Sequence, residues 1–127
     1  MTVPRILEKP VVFMNGKTAK NPFALASLTN CQSNPDGSLH EREKIWLERR
    51  AKGGNGIVNT CCVHVQVNGK GWVGEWRLFD DKHVPGYKEV ADAIHQHNSI
   101  IIVQIFHGGM RADDKLIEGP SRSCVDT

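Results

Sequence analysis

The sequence predicts an α/β fold built on a parallel sheet, and three observations carry that prediction. Short apolar runs recur at residues 23–28, 56–63 and 99–106, each of a length suited to a buried strand. Between them lie two stretches, near 39–52 and 84–97, whose apolar residues fall at helical spacing. The order strand, helix, strand, helix, strand is the one that right-handed crossovers close into a parallel sheet.

The elements follow in order. "VVFMNGKTAKN" places apolar residues around Asn15-Gly16, a strong hairpin signal, so a small hairpin is expected near the amino end, capping the fold rather than forming its core. "FALASL" (23–28), bounded by Pro22 and the polar "TNCQSNPDGS", fits a strand buried on both faces. Asn34-Pro35-Asp36-Gly37 is turn chemistry, and Ser38 is expected to cap the following helix. That helix, "LHEREKIWLERRAKGG", offers Leu39, Ile45, Trp46 and Ala51 as its apolar side, has "RRAK" as its solvated end, and stops at Gly53-Gly54. "GIVNTCCV" (56–63) is the second buried strand. The Gly-rich "QVNGKGWVGEWRLFDD" is too irregular to be core, and its Trp72 and Trp76 are expected to anchor their own loop. Val84, Tyr87, Val90, Ala91 and Ile94 mark the second helix, with Asp80 or Asp81 near its start.

The third strand ends in "SIIIVQIFHGGMR", which raises a question of chemistry. An apolar strand has no cheap place for Gln104, because burying an amide without partners costs roughly 1–3 kcal/mol. Either loop backbone satisfies it or something that is not protein meets it. Ligands gather at the carboxyl ends of strands in parallel sheets. Ser27, Thr29 and Asn30 lie at that end of the first strand, Cys62 and His64 at that end of the second, and Gln104 and His107 at that end of the third. His64, His83, His95 and His97 read as surface or loop histidines.

Composition bounds the rest. A chain of 127 residues suits one domain spanning 1–127. With 39% hydrophobic and 24% charged residues it reads as soluble and globular. Sixteen basic residues against fourteen acidic ones, net +2, suggest no nucleic-acid or anionic-membrane partner. No run approaches the roughly 18–20 apolar residues of a membrane span, and "MTVPRILEKPVVF" lacks signal-peptide character, so a cytoplasmic location is expected. Cysteines 31, 61, 62 and 124 lack C-x-x-C spacing, and adjacent Cys61 and Cys62 make a poor disulfide framework. Reduced thiols are expected. A metal site using Cys62 with His64, or a zinc or thiol-redox protein using all four cysteines, is the minor reading.

Three stretches taken together resemble the old yellow enzyme family of FMN-dependent oxidoreductases. "KNPFALASLTN" is similar to the family's first strand. "RRAKGGNGIVNTCCVHVQVNGKG" is similar to its glycine-bearing approach to the second strand and the loop beyond, and "VQIFHGGMRA" to the Gln-Leu-x-His-x-Gly-Arg signature closing the third. The spacing of "DDKHVPGYKEVADAIHQHNSIIIVQ" also matches, so the likeness runs from about residue 20 onward. Three positions depart from the pattern: Ser27 stands where proline is usual, Cys61 where an acidic residue is common, and Met110 where an arginine is common.

The resemblance implies a TIM (β/α)8 barrel binding FMN at its carboxyl rim, with hydride passing from NADH or NADPH to flavin to an activated alkene or similar small-molecule acceptor. A barrel of that class needs at least about 200 residues, so the expected fold is a partial barrel: the first three β/α units with an amino-terminal hairpin. Carried over by position, Ala26, Ser27 and Leu28 would line the isoalloxazine and Thr29 would donate near its O4 and N5, tuning the flavin. Cys62 would take the small-residue place beside the pyrimidine, and Gln104 would pair with the pyrimidine edge, where an amide offers both donor and acceptor. His107 would close a turn. The family's carbonyl-binding pair, its proton-donating tyrosine and its phosphate loops have no counterpart here, so no complete catalytic set is expected in this chain. The expectation is an amino-terminal oxidoreductase segment that needs a complementing chain or forms a homo-oligomer. The alternative is a non-catalytic truncated barrel acting as a binding or assembly module.

Overall fold

In the computed structural model, which describes residues 5–117, the sheet begins where Lys20 and Asn21 tie the first strand to what surrounds it. Lys20 Nζ donates to Ala51 O at 3.3 Å and to His97 O at 2.7 Å, carbonyls at the carboxyl ends of both helical segments, where cations are favoured. Asn21 Oδ1 accepts from the backbone N–H of Phe23 and Gly56 at 3.1 and 3.0 Å. Its Nδ2 donates to Gly54 O at 2.8 Å. Gly56 must be glycine there, since a Cβ would sit 2.4 Å from Asn21 O. Two polar side chains thus tie the start of the first strand to the ends of both helical segments and to the start of the second strand.

The elements run β1 (Val11–Val12), β2 (Thr18–Ala19), β3 (Ala24–Leu25), α1 (Glu41–Lys52), β4 (Ile57–His64), β5 (Trp76–Arg77), α2 (Val84–His95) and β6 (Ile100–Phe106). β1 and β2 form the expected hairpin, with Gly16 at φ +80° in its turn. It sits against the start of β6, where Phe13, Asn15 and Lys17 share a cavity of about 630 Å³ with Ile100, Ile101 and Ile102. β4 is central: it pairs in parallel with β3, with β6 and, through Val63 and His64, with β5. The predicted parallel arrangement is therefore observed. No strand pairs with the far edge of β6 among the described residues.

One face of this sheet carries the core. Leu47 and Ala51 of α1, Val90 and Ile94 of α2, Val58 and Val63 of β4, and Trp76 are all essentially inaccessible to solvent. Each large side chain buried this way contributes roughly 1.5–3 kcal/mol. Leu25, Leu39, Trp46, Tyr87, Ile101 and Val103 close around them.

Several expectations need correction. The first strand is Ala24–Leu25, shorter than 23–28, and Phe23, Ala24, Ala26 and Leu28 are exposed rather than buried on both faces, because helices cover only one side. Ser38 does not cap α1; His40 does, its Nδ1 accepting from Arg42 N at 3.0 Å, while Ser38 is held in the preceding turn by Asp36. The buried line of α1 is Glu43, Leu47 and Ala51, at i, i+4 and i+8, and Ile45 faces outward. In α2 the buried residues are Val90, Ala93 and Ile94, and Val84 is exposed. The segment judged too irregular for core supplies a strand, β5, and its Trp76 is buried and stacked on Tyr87 with ring centroids 3.9 Å apart. His64 and His83 are buried, not surface residues. Cys124 lies outside the described residues.

Candidate functional site

A β-bulge decides which side chains reach the open face of the sheet. Along β4, Asn59 pairs with Ile102 and Cys62 with Gln104, so three steps on β4 match two on β6. Thr60 absorbs the extra residue: its Oγ1 accepts from Gln104 N at 3.1 Å and donates to Cys61 O at 2.7 Å. Beyond the bulge the alternation is reversed. Cys61 and Val63 now turn toward the helices, and Cys62 turns away from them.

Cys61 therefore joins a buried polar cluster with Glu43, Ser33 and Asn30. The Cys61 thiol and the Ser33 hydroxyl both donate to the Glu43 carboxylate, and Cys61 Sγ lies 3.3 Å from Asn30 Oδ1. Burial first, and the Glu43 charge second, push the Cys61 thiol far above its usual range. Asn30 belongs to this cluster, on the helix side of the sheet.

On the open face three strand ends converge. The Cys62 thiol donates to Gln104 Oε1 at 3.3 Å, and the Thr29 hydroxyl is hydrogen-bonded to the Cys62 sulfur. Burial and then the charge of Glu75 push the Cys62 thiol up, and Thr29 partly offsets them. Gln104 is thus met by a neighbouring thiol, not by loop backbone. Its side chain is exposed, and its NH2 makes no hydrogen bond among the described residues, leaving a donor for an outside acceptor. Ala26 and Leu28 are exposed beyond the end of β3, with Ser27 half-buried between them. The patch pairs apolar surface with one unspent donor, the Gln104 NH2, which would meet a pyrimidine carbonyl of a flavin placed there. His107 is turned inward to its own loop: its Nδ1 accepts from Gly109 N at 2.9 Å, and its ring packs so close to Gly69 that a Cβ there would lie 2.7 Å from Cδ2.

Behind this patch lies a pair that sequence reasoning missed. His64 and Glu75 are both buried, with His64 Nδ1 3.8 Å from Glu75 Oε1. That distance is too long for a hydrogen bond, and both atoms lack a partner among the described residues. The two groups do not form an ion pair. Burial, aided by Lys70, lowers His64 to about 4, and burial raises Glu75 to about 7 against the hydrogen bonds from Gly71 and Trp72. Near neutral pH the histidine is uncharged and the carboxyl is half-protonated. A strand pairing at Trp76, invisible to alternation because β5 is two residues long, is what buries them.

Among the described residues no group of three or more histidine, cysteine or acidic side chains is placed to hold a metal, and no helix is long and apolar enough to cross a membrane.

A parallel sheet with helices on one face and polar side chains at its strand ends is the layout of α/β enzymes that bind ligands at a carboxyl rim. The chain belongs to the NADH:flavin oxidoreductase / NADH oxidase family, which it matches over residues 7–127. This is the old yellow enzyme family, whose members are FMN-dependent oxidoreductases using NADH or NADPH. It is 36% identical over 111 residues to the probable NADH-dependent flavin oxidoreductase YqiG of Bacillus subtilis, covering 87% of this chain and 30% of that protein. It is 31% identical to an NADH oxidase of Thermoanaerobacter brockii over 87% of this chain and 18% of the other. Among solved structures, a 2-naphthoyl-CoA reductase complexed with 2-naphthoyl-CoA superposes with a TM-score of 0.81 at 34% identity, over 86% of this chain and 16% of that one. The old yellow enzyme homologue from Zymomonas mobilis shares the fold, with a TM-score of 0.79 at 24% identity over 87% of this chain and 30% of that one. The chain spans less than a third of the length of these relatives and matches their amino-terminal portion.

Proposed function

We propose that residues 1–127 form one unit, the first three β/α units of an FMN-binding TIM barrel, and that its open face is the pyrimidine-side wall of the flavin site. The observation that carries this reading is the meeting of Cys62 of β4 and Gln104 of β6 with Thr29, from the segment after β3, on the face away from the helices. Gln104 pairs with the pyrimidine edge, and Cys62 orients its amide. Thr29 tunes the flavin, and Ala26, Ser27 and Leu28 border the ring. The complete site transfers hydride from NADH or NADPH to FMN and on to an activated alkene or similar small molecule. These residues contribute binding and orientation rather than a complete catalytic set, and the later strands of the barrel complete it.

The test is a flavin fluorescence titration of this chain combined with the carboxyl-terminal remainder of a relative such as YqiG. Flavin should bind the complex and bind the chain alone weakly or not at all, since two neutral hydrogen bonds contribute only roughly 0.5–1.5 kcal/mol each. Gln104→Ala should weaken binding to the complex several-fold, and His107→Ala should weaken it less. Equal affinity for Gln104→Ala and the unchanged chain would remove the glutamine from the site.

A second reading has its own support. Leu28, beyond the end of β3, and Ile102 on β6 are 55% and 44% exposed beside the unpaired edge of β6, apolar surface suited to self-association. In that reading the chain is a non-catalytic binding or assembly module, and sedimentation shows a stable homo-oligomer whose formation is indifferent to FMN.

A further inference from the structure

Outside the flavin wall, the polar irregularity of the chain is concentrated in one place. Of the six buried side-chain atoms without a hydrogen-bond partner among the described residues, five, His64 Nδ1, Asn68 Oδ1, Glu75 Oε1, Arg77 Nε and His83 Nε2, lie between residues 64 and 83, and the sixth is Gln32 Oε1. Buried polar atoms are normally paired, so such a cluster calls for a partner that the described residues do not supply. Two of these residues, His64 and Arg77, line a cavity of about 380 Å³ together with Asp36, Lys70, Phe79 and Lys82. That volume falls in the range of small-molecule sites.

Three basic side chains, Lys70, Arg77 and Lys82, line the cavity, against the Asp36 carboxylate in its wall and the Asp80 carboxylate that pairs with Lys82 at its entrance. The Arg77 guanidinium is only partly exposed, lies 5.7 Å from the Phe79 ring centroid, and stands 4.0 Å from the Asp36 carboxylate. At 4.0 Å Asp36 lowers the net charge without occupying the donor fork. Lys70 Nζ donates to Pro35 O at 2.7 Å, which uses one of its three protons and points the ammonium at the turn bordering the cavity. Lys82 is held at the entrance by Asp80, 2.9 Å away, and remains solvent-accessible. Lys70 and Arg77 bear on His64, and Arg77 and Lys82 act on His83 against the opposing charges of Asp80 and Asp36.

We infer that this cavity, beside β5 and between the turn at 34–38 and the loop at 64–83, is a binding site for the phosphate or carboxylate group of a small molecule. Arg77 supplies a planar donor fork, which matches two oxygens of either group, and Lys70 and Lys82 supply charge. None of these residues belongs to the proposed flavin wall, so the site stands whether or not that reading holds.

The experiment titrates the full chain with sodium phosphate, and separately with sodium acetate, at ionic strength held constant with sodium chloride. The readout is the His64 ring signal in NMR spectra, assigned by its loss in His64→Gln. Saturable displacement of that signal by phosphate, in the millimolar range, supports a phosphate site. Saturation by acetate instead supports a carboxylate site. Lys82→Ala, which removes an exposed side chain and spares the fold, should weaken the binding at least fivefold, and Arg77→Lys should do so more strongly by losing the fork. Displacement no greater than that caused by chloride would overturn the inference. So would unchanged affinity in Lys82→Ala and Arg77→Lys, since the anion would then bind elsewhere.

Discussion

The two faces of the sheet differ in kind. On the helix side, Leu47, Val58, Val63, Val90 and Ile94 have no solvent exposure, and even the polar residues there, Glu43, Ser33 and Cys61, are matched to one another. On the other side, Ala26, Leu28, Ile102 and Gln104 are exposed, though β6 is as apolar as any buried strand. Both faces were composed for burial, but only one is covered among the described residues. The contrast locates stability on the helix face and leaves the open face to the binding proposed above, a division between scaffold and site.

The largest effect should come from the helix face. Leu47→Ala should lower stability by about 2–5 kcal/mol, because Leu47 is enclosed by both helices and the sheet, which leaves little room to collapse around the cavity. Urea denaturation of the chain and its variant measures this. A loss below about 1 kcal/mol would mean that this face is looser than its burial implies.

A second effect, roughly 3 kcal/mol in size, is hidden by cancellation in the unchanged chain. Glu75, raised from 4.5 to about 7, holds its proton more tightly folded than unfolded. Its contribution to stability is therefore present below pH 4.5 and lost as pH rises through about 7. His64, lowered from 6.5 to about 4, works in the opposite direction: its contribution is present above pH 6.5 and lost as pH falls through about 4. At about 1.4 kcal/mol per pH unit the two nearly offset each other between pH 4.5 and 6.5. Glu75→Gln should unmask the histidine, so that stability rises with pH across that window, and His64→Gln should unmask the carboxyl, so that stability falls. Urea midpoints at several pH values decide it; parallel profiles for the two variants would show that the pair is solvated rather than buried.

These two residues also mark where the sequence stopped being legible. The parallel order of strands, both helices and the hairpin could be read because apolar spacing and Asn15-Gly16 are local signals. β5 could not, since two residues carry no periodicity, and with it went the burial of Trp76, Glu75 and His64. The bulge at Thr60 and Cys61 was equally silent. Plain alternation would put Cys61 and Cys62 on the wrong faces, and only pairing with β6 shows the reversal. Gln104 stood out because a buried amide would conflict with an apolar strand, but its side chain is exposed in the structure, which removes the burial cost and leaves its role to the proposal above.

The buried cluster around Glu43 should show the next effect. Glu43→Ala strands the Ser33 hydroxyl in a space closed to water and leaves the Cys61 thiol only Asn30 Oδ1, and an unsatisfied buried donor costs about 1–3 kcal/mol. Glu43→Gln keeps an acceptor for one of them and should recover part of the loss. If Glu43→Ala were neutral in urea denaturation, the cluster would be hydrated and the helix face less dry than its exposure values indicate.

The smallest effect belongs to the open face and tests the contrast most sharply. Ile102 lies one residue from Ile101, which packs into the core, yet alternation turns it to the uncovered side, where it is 44% exposed. Ile102→Ala should therefore change stability by less than about 0.5 kcal/mol, as for a surface position. The value should be the same at low and high protein concentration if the face is free. A loss of 2 kcal/mol or more, growing with concentration, would mean that a second copy covers this face in solution, and the assembly reading would gain over the flavin wall. A small, concentration-independent value leaves the face open, as a site awaiting the rest of a barrel requires.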